Sequence, residues 1–171
     1  AEASLNGAAP LPRWHRGSAM LAARYKLADA LVLSRVRKGV GPLRYLISGG
    51  APLHPDIGKF FHGAGFLLLE GYGLTETSPV VAWNPPEKVK YGTVGKPLRG
   101  TEVKTEPDGE LLVKGPLVMK GYWNKEQETK EAFTEDGFLR TGDLARIDKD
   151  GYITITGRKK DFIIKGGVNI A

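Results

Sequence analysis

Two short apolar runs, residues 43–47 (Leu-Arg-Tyr-Leu-Ile) and residues 66–69 (Phe-Leu-Leu-Leu), each open into a glycine-rich segment. The first exits through Ser48-Gly49-Gly50-Ala51-Pro52, the second through Glu70-Gly71-Tyr72-Gly73. Between them, residues 55–62 carry about two turns of helical pattern. Strand, helix, strand with glycine at both strand exits predicts a parallel α/β sheet, in which ligands gather at the carboxyl ends of strands. Upstream, Leu21, Tyr25, Ala28, Val32 and Val36 recur at helical spacing and predict a helix over 17–37. Arg24, Lys26, Asp29, Ser34, Arg35 and Arg37 fall off that stripe and read as a solvated face, and Gly39 and Gly41-Pro42 as the stop.

The pattern changes after about residue 92. Residues 101–105 and 110–114 flank Pro107-Asp108-Gly109, and residues 144–148 and 152–156 flank Asp150-Gly151. Both read as hairpins with Asp-Gly turns. Asn124 with Gln127 resembles a capping box opening a short helix over 125–133. The expected fold class is therefore α/β: part of a parallel α/β sheet subdomain (residues 1–94), then a small antiparallel, barrel-like β subdomain (95–156), then a stub (157–171). A chain of 171 residues can bury a real core, and no apolar run approaches the roughly 18 residues of a membrane span. No signal peptide is visible at Ala1-Glu2-Ala3-Ser4. Cysteine is absent, which excludes disulfides, thiolate zinc sites and a Cys nucleophile, and fits a cytoplasmic location.

The net charge of +6 is confined to residues 1–50, which hold eight basic and two acidic side chains; residues 51–171 hold 17 of each sign. A uniformly basic nucleic-acid binder is thereby disfavoured, and the aromatics do not interleave with the basic residues as a stacking array would require. Peripheral attraction to an anionic membrane surface is the remaining reading of that basic stretch.

Four segments carry chemistry. Gly71-Tyr72-Gly73-Leu74-Thr75-Glu76-Thr77 offers one aromatic face, hydroxyls and a carboxylate where glycine lets a ligand approach the backbone. A purine could stack on Tyr72, Thr75 could donate to a phosphate oxygen, and Glu76 could hold Mg²⁺; taken alone, the stretch reads more readily as a strand-end turn with an N-cap threonine. Asp143 in Arg140-Thr141-Gly142-Asp143, at the expected start of a strand, could accept ribose hydroxyls or be a solvated turn residue. Arg158-Lys159-Lys160-Asp161 joins two β-type segments, with Gly166-Gly167 beyond it; its arginine could pair with phosphate or ribose. Gly92-Thr93-Val94-Gly95-Lys96-Pro97 lacks the order of a phosphate loop and reads as a linker, and the three histidines are too scattered for a metal cluster.

Taken in order, Ser48 to Leu53, Gly71 to Thr77, Gly109-Glu110-Leu111 through Gly121-Tyr122, Thr141-Gly142-Asp143 and Gly157 to Asp161 strongly resemble the adenylate-forming enzymes, over roughly residues 40–171. That family includes acyl-CoA synthetases, firefly luciferase and peptide-synthetase adenylation domains. The form of three of the motifs is most similar to AMP-forming long-chain fatty acyl-CoA synthetases, with medium-chain or aryl acids as the alternative substrates. The resemblance implies that Tyr72 stacks on adenine, with Gly49, Gly50, Ala51, Glu70 and Gly71 lining the base and the inner end of the acyl pocket. It implies that Thr75 contacts the α-phosphate, Glu76 binds Mg²⁺, Asp143 holds the ribose hydroxyls and Arg158 assists there. Lys160 would be the hinge of a small C-terminal domain, and Gly166 and Gly167 would border the CoA channel. ATP, Mg²⁺, CoA and a fatty acid are the implied cofactor and substrates. The family's phosphate loop ending in Pro-Lys and its C-terminal catalytic lysine have no counterpart here. The expectation is a ligase fragment, inactive alone or serving at most as a nucleotide-binding module, with uncovered surfaces prone to self-association.

Overall fold

The computed structural model describes residues 19–159 and the backbone of two short strands at 163–165 and 168–170. The chain divides into two compact units, Ala1–Leu69 and Glu70–Ala171. In the first, α1 (Ala19–Ala28), a five-residue π-helical segment (Asp29–Leu33) and α2 (Ser34–Val40) run on without a break, past the expected stop at Gly39. Gly41 ends the helix: it takes φ +87, a region open to glycine, and its N–H donates to the Arg37 carbonyl at 3.1 Å. Strand β1 (Leu46–Ser48), α3 (Pro55–Gly63) and the start of β2 (Leu68–Tyr72) complete the unit as the strand–helix–strand element expected from the glycine exits. The Leu46 N–H donates to the Leu67 carbonyl at 2.9 Å. His54 caps α3, its ring Nδ1 accepting the Asp56 N–H at 3.3 Å, with Pro55 at the first helical position.

The apolar stripe of the long helix is not a core face, for Leu21, Val32 and Val36 are all exposed. Arg37, placed by periodicity on a solvated face, is instead an anchor. Its guanidinium pairs with Asp29 at 2.7 Å and donates to the Ala64 carbonyl at 2.9 Å, lying where any side chain at Gly65 would intrude.

The second unit holds the core. Strand β2 crosses the unit boundary and continues through Tyr72, longer than its apolar run, because Gly71 and Tyr72 pair antiparallel with Trp83 and Ala82 of β3 (Ala82–Trp83). Strand β4 (Lys96–Pro97) pairs with β3 in turn. A second sheet, all antiparallel, has the order β5 (Glu102–Thr105), β6 (Glu110–Lys114), β7 (Leu139–Ile147), β8 (Ile153–Arg158). Val81, Ala82, Leu111, Val113, Ala145 and Ile153 form one buried cluster, with Tyr72, Val94, Val103, Val118 and Ile155 packed against it. Each fully buried aliphatic side chain in such a cluster contributes about 1.5–3 kcal/mol. Both Asp-Gly turns form, with Gly109 at φ +89 and Gly151 at φ +83. Strands β9 (Ile163–Lys165) and β10 (Val168–Ile170) make a separate antiparallel pair. The architecture is thus of the expected α/β class, with β3 and β4 added antiparallel to the first sheet, followed by the expected curled antiparallel sheet. Among the described residues no helix is long and apolar enough to cross a membrane.

Two local expectations fail. Helix α4 (Glu126–Ala132) has no capping box: Asn124 is left-handed, at φ +53, and the N-cap is Lys125, with no side-chain cap bond. Residues 92–97 are not a linker. A Cβ on Gly95 would stand 1.9 Å from the Trp83 carbonyl oxygen, Gly95 bridges Ile153 of β8, and buried Asn84 donates from Nδ2 to the Thr93 carbonyl.

Candidate nucleotide site

The turn after β2 is built by glycine and threonine. At Gly73 a Cβ would lie 1.7 Å from the Pro79 carbonyl oxygen, so only glycine permits the chain to fold back there. The return is closed by the Val81 N–H donating to the Tyr72 carbonyl at 2.7 Å. Residues Thr75–Thr77 form one turn of 3₁₀ helix. Thr77, buried, accepts the Leu74 N–H and donates to the Leu74 carbonyl, each at 2.9 Å. The turn leaves Thr75 exposed and Glu76 half-buried. Glu76 is held twice: its carbonyl accepts the Met119 N–H at 2.7 Å, and its Oε1 accepts the Tyr122 hydroxyl at 2.9 Å. Burial, then the Glu76 acceptor, push the Tyr122 phenol above its ordinary range. Tyr122 was quoted from sequence only as part of a motif; its partner lies 46 residues away, beyond the reach of local pattern.

Asp143 lies within β7 rather than at its start and is 4% exposed, so it is no solvated turn residue. Its two carboxylate oxygens are divided between Tyr72, whose hydroxyl donates to Oδ2 at 2.6 Å, and Arg158, whose Nε donates to Oδ1 at 2.9 Å. Arg158 is Asp143's direct partner across β7 and β8. Three residues read separately from sequence are thereby joined in one ion-paired group. Burial, and after it the Asp143 acceptor, drive the Tyr72 phenol well above its ordinary range. Each carboxylate oxygen carries a second lone pair, so the group retains acceptor capacity toward hydroxyls.

Glu70 is buried, and its Oε2 has no hydrogen-bond partner among the described residues. Desolvation raises its carboxyl above the usual range, against a backbone hydrogen bond from Gly92. Neighbouring Tyr91 is pushed up to about 12 by burial and then by the Glu70 charge. A buried carboxyl with an orphaned oxygen fits a position that a polar ligand completes. Gly49, Gly50 and Ala51 follow β1 in the first unit and are exposed, with Gly50 at φ +81. Lys160, Gly166 and Gly167 lie outside the described residues.

A charged group surrounds the β5–β6 turn. Glu106, Asp108 and Glu110 bring carboxylate oxygens within 4.8 Å of one another, but Arg140 pairs with Glu106 and Glu110, and Lys159 with Asp108 and Glu110. Hydrogen bonds to Asp108 and then Glu110 hold the Lys159 ammonium above its usual range.

Comparison with known proteins gives one consistent result. The model of a family described as AMP-binding enzyme matches residues 15–123. The chain is 49% identical over 154 residues to a long-chain-fatty-acid–CoA ligase of Mycobacterium bovis, covering 89% of this chain and 26% of that protein. Among solved structures, ATP-bound MatB from Rhodopseudomonas palustris matches with a TM-score of 0.68 at 41% identity, over 77% of this chain and 29% of that one. A malonyl-CoA ligase in a ternary product complex with methylmalonyl-CoA and AMP matches with a TM-score of 0.68 at 35% identity, over 87% of this chain and 34% of that one. The chain spans about a quarter of the length of the curated relatives it matches.

Proposed function

The chain belongs to the AMP-binding enzyme family, and from that premise we propose that it forms nucleotide-binding machinery of an acyl-CoA ligase whose substrate is a fatty acid, long-chain by preference. The observation that carries the reading is the Tyr72–Asp143–Arg158 group. Residues 71 apart in sequence meet at 2.6 Å, and the ring that would carry adenine is fixed through its hydroxyl to the carboxylate that would hold the ribose. The long-chain preference is supported by the 49% identical relative, above the 41% and 35% of the structures whose names point to other acids.

In this reading Tyr72 stacks on adenine with Glu70 and Gly71 beside the base, and Gly49, Gly50 and Ala51 keep the role that the resemblance implies for them. Asp143 accepts the ribose hydroxyls with Arg158 beside it, and Thr75, exposed on the 3₁₀ turn, donates to the α-phosphate. Glu76 is the residue that fits Mg²⁺: a half-buried carboxylate whose Oε1 is oriented by Tyr122, offering the hard oxygen ligands that ion prefers. When bound, the ion neutralises charge on the phosphates. The substrate carboxylate attacks the α-phosphorus, the bond to the β-phosphate bridging oxygen breaks, and pyrophosphate leaves. The CoA thiol, losing its proton to solvent, then forms the thioester bond as the acyl–oxygen bond to AMP breaks. Neither step needs a protein nucleophile; positioning and charge stabilisation carry both. We assign residues 1–94 to the latter part of the large domain, 95–156 to its β-rich subdomain and 157–171 to the hinge, at Lys160, and the start of a small C-terminal domain, where Gly166 and Gly167 border the CoA channel.

Trapping the acyl-adenylate with hydroxylamine tests the reading. Full-length protein given Mg-ATP and acids of increasing chain length is expected to yield hydroxamate that rises toward long chains, and the 171-residue chain to yield none. Hydroxamate from no acid overturns the ligase reading, a maximum at short or aryl acids overturns the long-chain preference, and product from the 171-residue chain overturns its dependence on further residues.

A further inference from the structure

Gly109-Glu110-Leu111 stood out in the sequence without a role. Glu110 is 3% exposed, so its carboxylate must find donors or be strongly unfavourable. It finds three. Oε1 accepts the Gly142 N–H at 3.1 Å, while Oε2 accepts from the Lys159 ammonium at 2.9 Å and from the Arg140 guanidinium at 3.2 Å.

The Gly142 bond joins Glu110 to the stretch that presents Asp143. Across β6 and β7, Glu110 faces Leu144 and Leu112 faces Arg140, so Leu111 alone stands opposite Thr141, Gly142 and Asp143. A bulge of that size removes backbone groups from the ladder and requires other partners for them. Each is supplied. The Thr141 hydroxyl donates to the Leu111 carbonyl at 2.7 Å and accepts the Asp143 N–H at 3.1 Å. The Gly142 carbonyl accepts the Lys159 N–H at 2.8 Å, and the left-handed Gly142, at φ +71, gives its own N–H to Glu110.

We propose that Glu110 is a positioning residue of the nucleotide site: touching no ligand, it holds the 141–143 bulge in the one conformation that aims Asp143, and through Lys159 it ties the end of β8 to the same bulge. This rests on the reading of Asp143 as the ribose-binding carboxylate. Lys159 is thereby fixed twice, by backbone to Gly142 and by side chain to Glu110 and Asp108, immediately after Arg158.

The test is AMP affinity of the full-length protein by isothermal titration, for wild type, Asp143→Ala, Glu110→Ala, Glu110→Gln and Phe138→Leu. Glu110→Ala is expected to raise the AMP dissociation constant by about tenfold in protein that circular dichroism shows folded, the size typical when a group orienting a ligating residue is lost. Glu110→Gln, which keeps an oxygen for the Gly142 N–H, recovers most of that loss. Phe138→Leu, a buried change outside the bulge, lowers the melting temperature and leaves affinity unchanged, which separates positioning from general destabilisation. If the alanine variant does not fold, Glu110→Asp, one methylene too short for Gly142, carries the same expectation. Wild-type affinity in a folded Glu110→Ala or Glu110→Asp protein, with binding lost in Asp143→Ala, overturns this proposal alone. Undiminished binding by Asp143→Ala, or none by wild type, overturns the nucleotide reading and this proposal with it.

Discussion

Among the described residues of the first unit twelve large apolar side chains stand exposed, from Met20 on α1 to Phe60 on α3, and the only buried residues are Gly58, Ala64, Leu68 and Leu69. The second unit reverses this. Among its described residues five large apolar side chains are exposed, and the aliphatic interior of β6, β7 and β8 is accompanied by buried Glu70, Thr77, Asn84, Thr93, Glu110 and Asp143. Apolar side chains occur in both, so what differs is whether the described residues supply a second surface for them. The antiparallel sheet supplies its own, since consecutive strands pair and close over Leu111, Val113 and Ile153. The helix over residues 19–40 exposes Met20, Leu21, Leu27, Leu31, Val32, Val36 and Val40 and has no buried residue. A sequence stripe therefore states a demand for a partner, not its presence.

Three substitutions would sharpen or break the contrast. The largest effect is expected from Gly95→Ala, which puts a methyl group 1.9 Å from the Trp83 carbonyl oxygen at a φ of +85. It should cost the second unit more than about 3 kcal/mol in urea unfolding. A loss under about 1 kcal/mol would mean the 92–97 turn is looser than its packing indicates.

Glu70→Gln comes next. The Glu70 carboxyl is raised by desolvation, so between the ordinary value of about 4.3 and its own higher value the folded protein binds a proton that the unfolded chain does not. Wild-type stability from this group accordingly falls as pH rises through that window and stays reduced above it. The glutamine variant, which does not titrate, should be more stable than wild type by about 1 kcal/mol at pH 8 and lose that advantage below about pH 4. Thermal melts across pH check it; a gain that grows on acidification would reverse the assigned sign.

The smallest effect belongs to Leu31→Lys on the exposed helix. With Leu31 54% exposed, stability should change by no more than about 0.5 kcal/mol, while binding of a hydrophobic dye decreases. A marked drop in melting temperature would show that this face is buried after all.

Much of the fold was legible because turns and strands are local statements: Asp108-Gly109 and Asp150-Gly151 name their hairpins, and Ser48-Gly49 names the end of β1, although β2 runs on through Gly71 to Tyr72. The site was legible as separate parts. That Tyr72, Asp143 and Arg158 form one group depends on β7 and β8 pairing in register and on β2 reaching them, which no short window contains. Arg37 was misread for the same reason: periodicity assigned it to solvent, but the Ala64 carbonyl that it meets is 27 residues away. Asn124 shows the converse error. Its type and spacing suit a cap, yet a left-handed backbone turns it out of that role and leaves the helix start to Lys125. Glu110 carried no chemical signal at all, because its meaning lies in a bulge on the neighbouring strand.

The hydroxyl bond from Tyr72 to Asp143 also gives the molecule an optical marker. Burial and the bond to a buried carboxylate hold the Tyr72 phenol well above its ordinary range, so raising the pH ionises it late. In an alkaline ultraviolet titration, a late phenolate absorbance that is lost in Tyr72→Phe therefore belongs to this ring, and its delay reports, without any ligand or label, that β2 and β7 are still joined.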